Sequence, residues 1–222
     1  MPKKLFISPH YSDIAWSCSG LIAKHKQASV IAYVFTANPR KLHNPILKRN
    51  LKRAKKETKK FHRLYNCKHL FLDFPHSVQR GISLADVFDK DLIEREGEQA
   101  LILQIRTKIA EIINQNNFSE IYCPKAIRNH VDHLLIKQAI LPFSSAISIY
   151  YFQDFPTFLE DAETHKAESH LQLIKMDVSD VIEEKIEAIL TYKSIIKQFY
   201  LSQEKLQEQI RQYPYEIYWK EI

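Results

Sequence analysis

His10 and Asp13 stand in the stretch LFISPHYSDIAWSCSG (residues 5–20), where a short apolar run ends at Ser8-Pro9 and a helical pattern begins. His130, Asp132 and His133 stand together in KAIRNHVDH, directly after another apolar run, EIYCP. The first pair supplies an imidazole and a carboxylate from a loop and a helix start. The second group supplies two more imidazoles, three residues apart, on one side of a helical turn. Two histidines and one carboxylate with a fourth position open form a common set for catalytic zinc, and the same set suits non-haem iron. Spacing leaves open which of His130 and His133 would hold the ion. Each pattern taken alone also fits a plainer role, since Asp13 would charge or cap the start of a helix.

What gives the two groups a common meaning is the order of the elements that carry them. Five short runs read as buried strands: KLFIS (4–8), VIAYVF (30–35), HLFLDF (69–74), EIYCP (120–124) and ISIYYF (147–152). They are continuous rather than alternating, as expected when both faces of a parallel sheet are covered. Helical patterns lie near 14–27, 46–66, 99–117 and 131–141, and 180–212 reads as one or two closing helices. Strand alternating with helix implies right-handed crossovers and an open, mostly parallel α/β sheet with helices on both faces, three layers in all. In such sheets ligands sit beyond the carboxyl ends of the strands. His10 and Asp13 follow the first strand there, and the HVDH group follows the fourth. The long segments 75–98 and 153–179 read as loops of the kind that wall a site.

Composition narrows the class. With 222 residues, 45% of them hydrophobic, the chain has enough apolar surface for a sizeable core and is expected to form one domain over 1–222. No apolar stretch approaches the roughly 18–20 residues that span a bilayer, and Leu5-Phe6-Ile7 is too short for a signal-peptide core. A cytoplasmic location is the expectation. Three widely spaced cysteines, Cys18, Cys67 and Cys123, read as buried thiols rather than a disulfide framework or a thiolate zinc site. The net charge of +6 is local in origin. Residues 40–63 hold eleven Lys/Arg and one acid, and the rest of the chain holds 21 basic and 25 acidic residues. The helix in this run has Leu47, Leu51, Ala54, Thr58, Phe61 and Tyr65 as its buried stripe. Phe61 is its only aromatic before the end of the run, so the stacking platform that nucleic acid needs is not indicated.

The motifs resemble a known family. SPHYSDIAWSCSGLIA is similar to the PHxDD opening of the PIG-L/LmbE-like zinc deacetylases, and HVDH is similar to their second motif. LDFPHSVQR, YYFQDFP and the positions Lys185, Ala188, Ile189 and Tyr192 echo further family segments in the same order. The resemblance implies a Rossmann-like fold and removal of an N-acyl group from an amino sugar or glycoconjugate. It implies that His10, Asp13 and His133 hold Zn2+ or another divalent transition metal. It also implies that His130 assists the oxyanion or leaving amine, with Asp132 as its orienting carboxylate.

The departures from the family pattern are specific. Ser12 stands where an aspartate usually acts as the general base, and a serine hydroxyl does not accept that proton near neutral pH. His76 replaces a usual aspartate, Ser19 a glycine and Gln153 a glutamate. Arg53 and Glu57 only loosely match an Arg/Glu pair. Asp154 or Asp73 is a candidate to replace the absent base. Arg80, Arg128 and Asp154 are the candidates for substrate binding, because an arginine fork suits phosphate or carboxylate, and each arginine equally suits a structural ion pair. Two functions follow from the same residues: an amide hydrolase with weakened proton transfer, or a silent binding module that keeps the pocket. His25, His43, His62, His69, His165 and His170 read as surface or packing residues. His76 is the one histidine outside the motifs placed to reach the site, and Trp16 and Cys18 read as core.

Overall fold

A computed structural model describes residues 2–38, 42, 44–154, 168–199 and 202–222. His43, His165 and the part of YYFQDFP beyond Asp154 lie outside them, as do Arg40 and Lys41. The chain runs β1 (Lys3–Ser8), α1 (Asp13–Ser17), α2 (Ser19–Lys24), β2 (Ser29–Tyr33), α3 (Pro45–Tyr65), β3 (Lys68–Phe71) and α4 (Glu96–Asn114). It continues β4 (Phe118–Pro124), α5 (Val131–Ile140), β5 (Ser148–Phe152), β6 (Leu171–Asp177), α6 (Ile182–Leu190), α7 (Lys193–Phe199), α8 (Gln203–Gln212) and β7 (Tyr215–Glu221).

The strands form one mixed sheet in the order β3-β2-β1-β4-β5-β7-β6. The five runs read from sequence are its parallel part, with Leu5 level with Val30 on one side and Ile121 on the other. β7 is antiparallel to β5 and β6 is antiparallel to β7. These two strands are the part the sequence did not reveal. β6 was read as loop because LQLIKMD is an edge strand with mostly exposed or half-buried side chains. YEIYWKE, forming β7, mixes charges into its apolar positions, because Glu216 is buried as a cap for another element.

Alternation along each strand divides the core into two faces. Leu5 and Ile7 pack with Val30, Ala32, Ile121 and Cys123 under α4 and α5. Phe6, Ile31, Tyr33 and Tyr122 point the other way, under α1, α2 and α3. The expected three layers are therefore present. All three cysteines are buried and free.

Local chemistry sets the helix ends. Asn44 Oδ1 accepts the backbone N–H groups of Ile46 and Leu47, Pro45 starts α3, and Asn66 ends it at φ 50°. Ala54, Thr58, Phe61 and Tyr65 are its buried stripe, while Leu47 and Leu51 are half-buried. The helix expected over 14–27 is broken at Cys18 into α1 and α2. Glu216 of β7 reaches across to accept the N–H groups of Gly20 and Leu21 at 2.7 and 2.9 Å, capping α2. Three helices, not one or two, occupy 182–212. No helix among the described residues is long and apolar enough to cross a membrane.

Candidate metal centre and pocket

β1 pairs with β2 on one side and with β4 on the other, so the chain reverses its direction of winding between β1 and β4. The loops that leave these two strands part at this point and open a crevice. His10 and Asp13 enter it from the loop after β1, the HVDH group from the loop after β4, and Asp154 from the end of β5.

The first loop is held by its own side chains. Ser8 Oγ donates to the His10 carbonyl at 2.6 Å, and Asp13 Oδ2 accepts the His10 backbone N–H at 2.7 Å. The three-residue spacing is what lets Asp13 close this turn. From behind, the Tyr192 hydroxyl donates to the Tyr11 carbonyl at 2.8 Å and Thr58 Oγ1 donates to it at 3.3 Å. The second loop carries left-handed backbone at Ala126 (φ 62°) and Asn129 (φ 57°). Alanine pays a steric penalty there, and the turn is held by Asp154 Oδ2, which accepts the Ile127 N–H at 2.7 Å.

Two groupings of ligand atoms arise, each with its atoms within 4.8 Å of one another: His10, Asp13 and His133, and His10, His130 and Asp132. Their outer contacts distinguish them. His133 Nδ1 lies 3.1 Å from Asp154 Oδ1, which places its proton there and leaves the Nε2 lone pair facing Asp13 Oδ2 at 3.7 Å. His10 Nε2 lies 2.8 Å from Asp132 Oδ2, leaving Nδ1 3.2 Å from the same Asp13 oxygen. Two imidazole lone pairs and a carboxylate thus converge, and only a proton or a cation relieves them. In the second grouping Asp132 Oδ1 already faces Arg80 Nη1 at 2.8 Å, and His130 Nδ1 accepts the Asp132 N–H at 3.2 Å. A cation there would meet a guanidinium. The first grouping therefore fits a divalent metal ion, with both histidines held by carboxylates in the manner usual for metal-ligating imidazoles.

The electrostatics follow. Burial would lower the His10 imidazole, but Asp13 and Asp132 outweigh it and raise it to about 10. Burial would raise both carboxyls, but His10 holds Asp13 and Asp132 well below the usual carboxylate range. Burial, with His133 and His10 nearby, lowers His130 to about 3.

The cluster forms the floor of a two-lobed pocket. The lobes measure about 350 and 340 Å3 and share His10, Asp13, Leu84, His130 and Phe199. Arg128, Asp154 and Phe88 wall the first lobe, and Ser12, His76, Leu51 and Ile195 wall the second.

Most of the expected residues meet here, but four have other partners. Asp132 was expected to orient His130; its carboxylate instead binds His10, and only its backbone N–H reaches His130. Arg80 was a candidate for substrate, but it lines neither lobe. Its guanidinium grips Glu98 with two bonds of 2.9 Å and braces Asp132 from behind. Asp154 lies on the pocket wall, yet both its oxygens are occupied by His133 and the Ile127 N–H. Asp73 lines neither lobe and bonds Thr36. Ser12 faces the second lobe from the N-cap position of α1, with no side-chain cap bond.

His76 does reach the site: it is 6% exposed, stacks over His10 with ring centroids 5.3 Å apart, and its Nε2 has no hydrogen-bond partner among the described residues. Burial and His10 lower it to about 3. Glu98, Phe88 and Phe199 were not foreseen. The two phenylalanines are half or more exposed, and nothing in their sequence setting sets them apart from core residues.

Three comparisons bear on this geometry. Residues 5–144 match the family described as PIG-L: GlcNAc-PI de-N-acetylase. The chain is 26% identical over 212 residues to 2'-N-acetylparomamine deacetylase of Streptomyces fradiae, covering 86% of this chain and 73% of that one. Its fold is similar to the zinc-inhibited form of teicoplanin deacetylase Orf2, at TM-score 0.76 and 16% identity, covering 99% and 98% of the two chains. It is likewise similar to A40926 pseudoaglycone deacetylase Dbv21, at TM-score 0.74 and 17% identity, covering 99% and 97%.

Proposed function

The chain belongs to the PIG-L, GlcNAc-PI de-N-acetylase family, and on that premise we propose that it is a metal-dependent hydrolase removing an N-acyl group from an amino sugar or glycoconjugate. The observation that carries the proposal is the convergence of His10 Nδ1 and His133 Nε2 on one oxygen of Asp13, at the floor of a pocket. The similar proteins named above are deacetylases named for 2'-N-acetylparomamine, teicoplanin and A40926 pseudoaglycone, which agrees with an amide bond as the target.

In this reading His10, Asp13 and His133 hold Zn2+ or another divalent transition metal. Such an ion, when bound, supplies Lewis acidity toward the amide carbonyl and lowers the pKa of water. Asp132 and Asp154 fix the two imidazoles and the tautomer of each. His130 accepts the Asp132 N–H at Nδ1, so its neutral ring carries the proton on Nε2. That N–H is the donor for the oxygen that gains charge as water adds to the carbonyl. Arg128 lies on the wall where the glycan arm of a substrate would pass. Ser12 contributes no base, and a positioned base is typically worth about 10²–10⁴ in rate. Turnover is therefore expected to be slow.

The serine also supports a second reading, in which the pocket binds metal or glycan without turnover. Elemental analysis of the purified chain, followed by amine release from a panel of N-acetylated sugars, decides between them. The hydrolase reading expects about one metal per chain, lost in His133→Ala, together with slow release. Bound metal with no release from any sugar favours the silent module. Full metal occupancy in His133→Ala would overturn the site assignment itself.

A further inference from the structure

The basic run lies on the exposed face of α3, and its arrangement in the fold says more. α3 carries nine Lys/Arg and a single acid, Glu57. Lys48, Lys52, Lys56 and Lys60 follow one another at four-residue steps, so like charges are stacked on neighbouring turns, which destabilises a helix. Elsewhere several cations are matched: Lys24 with Asp180, Lys26 with Glu184, Arg80 with Glu98, Lys185 with Glu216 and Arg211 with Glu183.

α7 packs against α3 and adds to the charge instead of cancelling it. Lys193 and Lys197, one turn apart on α7, join Arg53, Lys56 and Lys60 of α3 around a cavity of about 340 Å3. None of these five cations has an acidic partner among the described residues. The one acid in the wall, Glu57, is turned onto α7, where it accepts the Ser194 N–H at 3.0 Å and its hydroxyl. Five cations from two helices therefore face one concavity that holds a single carboxylate. No aromatic side chain lines it, so it offers nothing for a nucleobase to stack on.

We propose that the groove between α3 and α7 binds a phosphate-bearing anion. A phosphate presents two negative charges and several acceptor oxygens to the five converging donors and relieves their mutual repulsion. The site is separate from the metal centre but shares its walls. The opposite faces of the same helices, Leu47, Leu51 and Ala54 on α3 and Ile195, Gln198 and Phe199 on α7, line the second lobe of the pocket. An anion bridging α3 and α7 therefore fixes the wall against which a substrate packs. The phosphate has two possible carriers, a soluble phosphate compound and a phospholipid headgroup.

The test is calorimetric titration of inorganic pyrophosphate into the full chain at low ionic strength, beside cosedimentation with vesicles of phosphatidylserine or of phosphatidylcholine. Two double variants remove the same charge: Lys56→Gln/Lys197→Gln in the groove, and Lys59→Gln/Arg63→Gln outside it. Unchanged thermal unfolding of both establishes that they fold. Saturable pyrophosphate binding to the wild type, weakened about tenfold or more in the groove pair alone, is the expected result, since a hydrogen bond to a charged group is worth about that much. Phosphatidylserine binding lost in the groove pair alone, with no pyrophosphate binding, assigns the carrier as lipid. The proposal is overturned if neither probe binds, or if the two pairs weaken binding equally. None of these readouts requires turnover, so they stand apart from the hydrolase reading.

Discussion

His10 Nε2 lies 2.8 Å from Asp132 Oδ2, although 122 positions separate the two residues. Asp132 is fully buried, and its other oxygen faces Arg80, which is itself held by Glu98. The chain Glu98–Arg80–Asp132–His10 therefore reaches from α4 through the sheet edge to the candidate metal centre. It fixes the His10 ring with Nδ1 toward Asp13. A ligand set held this way is preorganised before any ion arrives, which is what makes tight binding affordable in entropy.

Asp132→Asn is expected to weaken divalent metal binding by about 10–100-fold, the usual cost of removing a carboxylate behind a ligating imidazole. Competition against a chromophoric chelator measures it. Asp154→Asn should act the same way through His133, since its Oδ1 lies 3.1 Å from Nδ1. Unchanged affinity in both variants would mean that the two carboxylates serve folding only.

This relationship marks the limit of what could be read in advance. The five parallel strands were legible because burial on both faces leaves long apolar runs, and the meeting of His10 and Asp13 with the HVDH group at one sheet edge followed from strand order. The partner of Asp132 was not legible. The family resemblance assigned it to His130, its neighbour in sequence, and nothing in the chain points 122 positions back to His10. Arg80 stood open between a fork for substrate and a structural ion pair, and its partner Glu98 was not legible because it lies beyond an irregular segment. The antiparallel strands β6 and β7 escaped because edge exposure and the buried cap Glu216 break the apolar pattern.

A pH effect is expected away from the metal centre. His62 is 8% exposed, and burial, with His69 stacked on it at 3.6 Å, lowers it from 6.5 to about 3. Its Nε2 lies 3.0 Å from the Tyr33 hydroxyl, which a neutral ring can accept from and a protonated ring cannot. Above about pH 6.5 the ring is neutral in both the folded and unfolded chain and the term is silent. Below that the unfolded chain takes up a proton that the folded chain refuses. Stability then falls by about 1.4 kcal/mol per pH unit until the folded value near 3 is reached. Urea denaturation of wild type and His62→Gln between pH 7 and pH 4 isolates the term. The variant's profile should be flatter, and parallel profiles would show that His62 is not the group responsible.

Ser12 supplies the sharpest test of the proposed function. It is 7% exposed, faces the second pocket lobe, and precedes Asp13, whose carboxylate closes the turn onto the His10 N–H. An aspartate at this position would carry its carboxylate toward the same lobe from the same backbone. Its negative charge would lie beside a centre whose two histidines and divalent ion can offset it, so metal binding should survive. If the pocket is otherwise competent, Ser12→Asp should raise amine release from an N-acetylated sugar by up to about 10²–10⁴, the range a positioned base supplies. The gain should vanish in Ser12→Asp/His130→Ala, because the base and the donor act on one substrate and are not additive. A wild type that is already fast, and is slowed by Ser12→Asp, would place the base elsewhere in the pocket. The unpartnered His76 Nε2 would then be the first atom to examine. Two metal-loaded proteins that both fail on every sugar would instead leave the silent module as the better account, because the missing base would then not be what limits turnover.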